Sequence, residues 1–234
     1  MLMAEQPRAN RLLSVLKPDA YERLSPKLKP VTLAAREILY QPNQPIHAIY
    51  FPETAVICQM TVMSDGATME TATVGFEGAS WISAHIGAPS MPCQTIVAIG
   101  GEAQTLAIDD LSQELVENEH FADVLTKYSH ALLIHCMRLA GCAGLHTVEQ
   151  RCARWILTAS DRVSADRFSV THEFIAMMLG CRRSSASIVI EKFEKEGMVT
   201  TRRGQIELAD REGLLKASCE CYGIIKDNYA QVGQ

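Results

Sequence analysis

The sequence predicts an α+β chain in three parts. These are an N-terminal helix and β-roll or jelly roll over residues 1–111, a long helix over 112–145, and a C-terminal winged helix-turn-helix over 146–234. Three observations carry this reading. Short β-rich runs separated by turn residues fill the first half. Apolar residues then recur every seven positions along a helical stretch. Finally "AMMLGCRRSSASIVIEKFEKEG", residues 176–197, reads as one helix stopped at a glycine corner and a second begun beyond it, with a basic hairpin following. A length of 234 residues is enough for one large or two modest domains.

In chain order, "NRLLSVLKPDAYERL" forms a helix ahead of the roll. Strands are expected at 37–40, 47–51, 55–63, 67–74, 94–99 and 102–108, parted by Pro-Asn, Phe-Pro-Glu, Ser-Asp-Gly and Gly-Phe-Glu-Gly turns. The long helix carries Leu125, Leu132 and Leu139, with Tyr128, His135 and Cys142 each three residues later. That spacing is a short coiled-coil seam, expected to meet a second subunit, while Val124, Leu133, Ile134 and Met137 lie on other faces and leave a second face for the roll. Gly141, Gly144 and His146 loosen the helix, and Thr147 caps the next, "VEQRCARWILTASDRV".

Thr171 is an N-cap, Glu173 sits in the first turn behind it, and Gly180 takes the left-handed conformation that ends a helix sharply. Beyond the corner, Ala186, Val189, Ile190 and Phe193 form a buried stripe. Arg183, Ser184, Ser187, Ile188 and Glu191 lie opposite. In a helix-turn-helix the start of this second helix enters the major groove, where arginine makes two hydrogen bonds to a guanine edge and serine allows close approach. Arg183, Ser184, Ser187 and Ile188 are therefore the candidate base readers. Arg182, Ser185 and Thr171, together with Arg202 and Arg203 at the tip of the hairpin "MVTTRRGQIEL", are candidate phosphate contacts.

Net charge is −5, but it is unevenly placed. Residues 1–146 hold 9 Lys/Arg against 15 Asp/Glu, whereas 180–204 hold six basic residues and three acids. A local basic patch still attracts phosphate, because screening confines the distant acids to a Debye length of about 8 Å. No apolar run approaches the roughly 18 residues of a membrane span, and "MLMAEQPRANRLL" lacks the apolar core of a signal peptide, so a cytoplasmic protein without membrane partners is expected. The carboxylates and histidines show no spacing for nucleophilic, metal or phosphoryl chemistry, which argues against an enzyme.

The eight cysteines, Cys58, Cys93, Cys136, Cys142, Cys152, Cys181, Cys219 and Cys221, are scattered, without C-x-x-C spacing, and are expected as reduced thiols. Cys219 and Cys221 read as helical, about 200° apart around the axis, and on that reading cannot face one metal. No metal or cofactor is expected.

Taken together, "VEQRCARWIL" and "THEFIAMMLGCRRSSASIVIEKFEKEGMV", with "ILYQPNQPIHAIYFPETAVI" and "VGFEGAS" in the roll, resemble the Crp/Fnr family of bacterial transcription regulators over nearly the whole chain. The resemblance implies a sensor roll, a dimerisation helix, and a homodimer reading a palindromic duplex DNA site. It also brings RNA polymerase and an unidentified small-molecule effector as candidate partners. Family members that bind cyclic AMP carry Gly-Glu and Arg-Ser pairs in the roll and a Thr-Ser pair on the dimer helix. The matching positions here read Ile82-Ser83, Gln94-Thr95 and Cys136-Met137, which leaves no cation for the cyclic phosphate, so cyclic AMP is not the expected effector. The cysteine group of iron–sulfur members is missing, since no cysteine precedes Cys58. His47, His85, His120, His130 and His135 are haem donors by residue type alone. On the DNA face, the family's Arg-Glu and following Arg read Arg183, Ser184 and Ile188, which implies a different half-site. A second reading, an adaptor that keeps the fold without a specific DNA site, rests on the acidic roll and the mismatched pocket.

Overall fold

The computed structural model describes residues 9–80 and 87–232. Seven strands build the roll: β1 (Lys29–Leu33), β2 (Ile38–Tyr40), β3 (Ala48–Pro52), β4 (Val56–Val62), β5 (Thr68–Val74), β6 (Cys93–Ile99) and β7 (Gly101–Ala107). They form two antiparallel sheets, ordered β1-β7-β3 and β2-β6-β4-β5. Strand β1 was not expected. It is an edge strand, largely exposed, and its Pro30 is tolerated there because an edge leaves one row of N–H groups unpaired.

Strand β4 shows how the roll is joined to the rest of the chain. Its first five residues are all buried, because both of its faces are covered. Ile57 points into a core shared with Leu33, Val97 and Ala103, while Val56, Cys58 and Met60 point the other way, into a core shared with Trp155, Ile156 and Ile175.

The N-terminal helix divides into α1 (Arg11–Ser14) and α2 (Pro18–Leu24), since Pro18 starts a new helix more readily than it continues one. The long helix likewise divides into α3 (Ile108–Glu117) and α4 (Glu119–Leu145). Asn118 makes the break: its Oδ1 accepts from the Phe121 N–H at 3.2 Å and its Nδ2 donates to the Ala20 carbonyl at 3.0 Å.

The expected seam is corrected by the packing of α4. Leu125, Tyr128, Leu132, His135, Leu139 and Cys142 are all buried within their own chain. The Tyr128 hydroxyl donates to the Ala79 carbonyl, and its ring stacks on Tyr229 at 5.9 Å. His135 Nδ1 lies 3.0 Å from the Tyr229 hydroxyl. Heptad spacing reports a stripe that is buried, not whose atoms bury it. The exposed face is a second stripe, Thr126, His130, Leu133, Met137, Ala140 and Gly144, with the same alternating three- and four-residue steps.

The C-terminal unit runs α5 (Val148–Val163), β8 (Arg167–Ser169), α6 (His172–Leu179), α7 (Arg183–Lys195), β9 (Val199–Arg202), β10 (Gln205–Leu208), α8 (Arg211–Ala217) and α9 (Cys221–Ala230). Thr147 and Gln150 form a reciprocal capping box at the start of α5. Trp155, Phe174, Ile190, Phe193 and Ile206 fill the core of the unit, and a buried ion pair, Arg162 Nε to Glu77 Oε1 at 2.7 Å, fastens α5 to the roll. A second expectation is corrected at the end of the chain. Helix α8 is capped by Ser218 and α9 begins at Cys221, so Cys219 sits in the corner between them. The 200° separation of Cys219 and Cys221 required one unbroken helix, and there is none.

Candidate nucleic-acid interface

The corner between α6 and α7 follows from local chemistry. The Thr171 hydroxyl accepts from the Phe174 N–H at 3.2 Å and opens α6. Gly180, at φ 59°, closes it with a Schellman pair, in which the Gly180 N–H donates to the Met177 carbonyl and the Cys181 N–H to the Ala176 carbonyl. Ala176 and Ala186 are buried and small, which lets the two helices approach.

Helix α7 starts at Arg183 with no side-chain cap. The Ser185 and Ala186 N–H groups both return to the Arg182 carbonyl, so the Arg183 and Ser184 N–H groups sit at an open, positively polarised helix end. Arg182, Arg183, Ser184 and Ile188 are exposed, while Ser185 and Ser187 are half-buried. Ser187 has a neighbour the sequence did not reveal: His172 Nδ1 lies 3.2 Å from its Oγ.

The hairpin β9–β10 turns through Arg203 and Gly204, at φ 50° and 78°. Two successive left-handed residues make the type I′ turn that matches the twist of a hairpin. Glu194 of α7 holds the hairpin by accepting from the Thr201 N–H at 2.9 Å and the Thr201 hydroxyl at 2.6 Å. Thr171, Glu173, Arg183, Arg202 and Arg203 then line one open cleft of about 290 Å³ between the wing and the helix start. Neighbouring cations are neutralised locally, Lys192 by Glu149 and Arg167 by Glu207. Among the described residues, Arg182, Arg183, Arg202 and Arg203 pair with no acid. Thr171 is already engaged in a second way, because Arg36 Nη2 of the roll donates to its hydroxyl at 2.8 Å. Both His172 and Arg36 reach their partners through tertiary folding, and no local pattern marks either.

The positions matched to a cyclic-nucleotide pocket do not converge on an anion site. Gln94 donates to Gln41 Oε1 at 3.0 Å, Thr95 is fully buried, Cys136 is half-buried, and Met137 is 66% exposed on the outer face of α4. Ile82 and Ser83, like His85, lie outside the described residues. The sequence holds no Lys or Arg between Arg36 and Lys127, so β2 to β7 offer no cation to a phosphate.

Residues 150–217 match the Crp-like helix-turn-helix domain. That stretch is a Crp-like helix-turn-helix domain. The structure of the chain is similar to that of a Crp/Fnr-family transcriptional regulator from Eubacterium rectale, with TM-score 0.68 and 15% identity over 89% of this chain and 98% of that one. FixK2 from Bradyrhizobium japonicum gives TM-score 0.67 and 17% identity, over 82% and 98%. The c-di-GMP-responsive regulator CLP of Xanthomonas campestris gives 0.64 and 16%, over 82% and 99%. At such identities the likeness establishes the Crp/Fnr fold. No curated protein matches the chain in sequence. Among the described residues, no helix is long and apolar enough to cross a membrane.

Proposed function

We propose that this chain is a Crp/Fnr-type, sequence-specific DNA-binding regulator, acting as a homodimer on a palindromic site, with an effector other than cyclic AMP. The observation that carries the reading is the set of four arginines without acidic partners, two at the open N-terminus of α7 and two at the wing tip, of which Arg183, Arg202 and Arg203 line one cleft. Arg183 and Ser184 would read base edges, while Arg182, Arg202 and Arg203 would hold phosphates. The outer stripe of α4, with Leu133 59% and Met137 66% exposed, is the natural seam for a second copy. Ala140 and Gly144 would let the helices come close at the hinge end.

Regulation would work through docking of the reading unit on its own roll. Gly180 lies against the Met69 side chain, and Thr171 is held by Arg36. A signal that moves the β4–β5 hairpin or the hinge near His146 would shift the population between docked and released arrangements.

The test is selection of binding sites from random duplex DNA by the reduced protein at physiological salt, without added small molecule. An enriched palindrome supports the reading. Failure of a folded dimer to enrich any sequence, with flat salt dependence of what DNA binding remains, favours the adaptor. Against the selected site, Arg183→Ala should cost about 1–3 kcal/mol and relax one base position. Unchanged specificity removes Arg183 from the base readers. Calorimetry with cyclic AMP should show no saturable binding, and tight one-to-one binding would overturn that part of the proposal.

A further inference from the structure

At the hinge end of α4 the fold gathers four groups that the DNA-reading surface does not use. Cys142 lies in the last turn of α4 and His146 caps that helix, while Cys219 and Cys221 come from the corner between α8 and α9. Their three sulfurs and one imidazole nitrogen all lie within 4.8 Å of one another. Cys142 Sγ is 3.5 Å from Cys219 Sγ, and Cys221 Sγ is 3.8 Å from His146 Nδ1. We propose that Cys142, His146, Cys219 and Cys221 bind one zinc ion per chain, clamping the hinge to the C-terminal corner.

Distance argues first. A tetrahedral zinc with Zn–S near 2.3 Å sets its sulfur ligands roughly 3.8 Å apart. The observed separations need only tenths of an ångström to about one ångström of adjustment, whereas a polynuclear cluster, with its own metals and sulfides between the ligands, needs a wider cage. The donors agree with this, since three thiolates and an imidazole form one of the closed structural zinc sets. The three cysteines are 2–3% exposed, so no position is left open for a substrate.

The surroundings supply the remaining parts of such a site. His146 turns Nδ1 to the sulfurs and Nε2 to Glu220 Oε2, 3.3 Å away, the carboxylate partner that fixes the ring of a metal-bound histidine. Three thiolates on a divalent ion leave one net negative charge. Buried Arg154 lines a small cavity with Cys142 and the buried Glu70, and its Nε and Nη1 have no hydrogen-bond partner, so a guanidinium with unused donors lies beside the site. On loading, the thiols enter as thiolates, their protons pass to solvent, and the neutral imidazole contributes its lone pair.

The site does not depend on the DNA-binding proposal, and it is read without DNA. Full-length protein purified under reductant should carry one zinc per chain through gel filtration, by elemental analysis. After removal with a thiol-directed mercurial, cobalt(II) should restore one equivalent with the intense visible bands of tetrahedral thiolate coordination, and zinc should bleach them. Cys221→Ser should weaken zinc at least about a hundredfold, and Glu220→Gln, which touches no sulfur, about ten- to a hundredfold. Zinc should also raise the melting temperature of the stripped wild type. Weak octahedral cobalt bands in folded wild type, or substoichiometric zinc unaltered by both substitutions, would overturn the proposal. Recovery of a Cys142–Cys219 disulfide that persists under reductant and excludes zinc would overturn it in favour of a redox pair.

Discussion

Replacing Arg162 with methionine should destabilise the protein by about 3–5 kcal/mol, because it strands a buried carboxylate. Arg162 is 4% and Glu77 8% exposed, and the pair joins α5 to the loop after β5 across 85 positions of sequence. The site is built around the guanidinium. Gly75 leaves room for the Arg162 stem, since a Cβ there would lie 2.5 Å from its Cγ, and the Gly75 N–H donates to the same Glu77 oxygen at 3.3 Å. Burial of an ion pair carries a desolvation cost close to its Coulombic gain, so removing both charges together is a different experiment. The double variant Glu77→Met/Arg162→Met should recover most of the loss or exceed wild type. Urea unfolding followed by circular dichroism and tryptophan fluorescence measures the cycle. A loss below about 1 kcal/mol for Arg162→Met alone would mean that the pair is solvated, and that α5 does not rest on the roll in solution.

How far the sequence led depends on the range over which each feature is determined. Six strands and the helix-turn-helix were legible because Pro, Asn and Gly punctuate the roll, and because Thr171 and Gly180 stop and start helices by chemistry confined to a few residues. Strands β1 and β8 escaped because each is short and mostly exposed and fully buries a single apolar residue, Leu33 or Phe168, too little for a pattern to stand out. The seam was misplaced for a subtler reason. Leu125, Leu132 and Leu139 give the strongest apolar period on α4, yet they are covered by their own chain, while the exposed stripe is diluted by Thr126, His130 and Gly144. Hydropathy measures the tendency to be buried and carries no label for the partner. The Cys/His cluster was out of reach on different grounds. Its two halves lie 77 positions apart, meet only through the packing of α4 on α9, and include a helix break at Ser218 in a stretch whose sequence reads as continuous helix.

Removing the four unpaired arginines should abolish high-affinity DNA binding while leaving the fold intact. Arg182, Arg183 and Arg202 are exposed and without acidic partners, so alanine at each is expected to change stability by no more than about 0.5 kcal/mol. Arg203 needs a different replacement. Its φ of 50° lies in the left-handed region, where asparagine is tolerated and alanine strained, so Arg203→Asn preserves the wing. Two separable losses are then expected in the combined variant. Loss of Arg183 removes a base contact worth about 1–3 kcal/mol and shows as relaxed preference at one position. Loss of the phosphate contacts weakens every sequence alike and flattens the slope of log K against log salt by about 0.9 for each contact removed. The combined fall at physiological salt should reach roughly a thousandfold or more. Variants confined to the wing, Arg202→Ala with Arg203→Asn, should reproduce the shallower salt slope with unchanged specificity, because a hairpin tip that grips the backbone reads no bases. If the wing variant instead alters base preference, the wing enters a groove, and the division of labour between helix and hairpin must be reversed. If the combined variant keeps both affinity and slope, the cleft between α7 and the wing is not where this protein meets DNA.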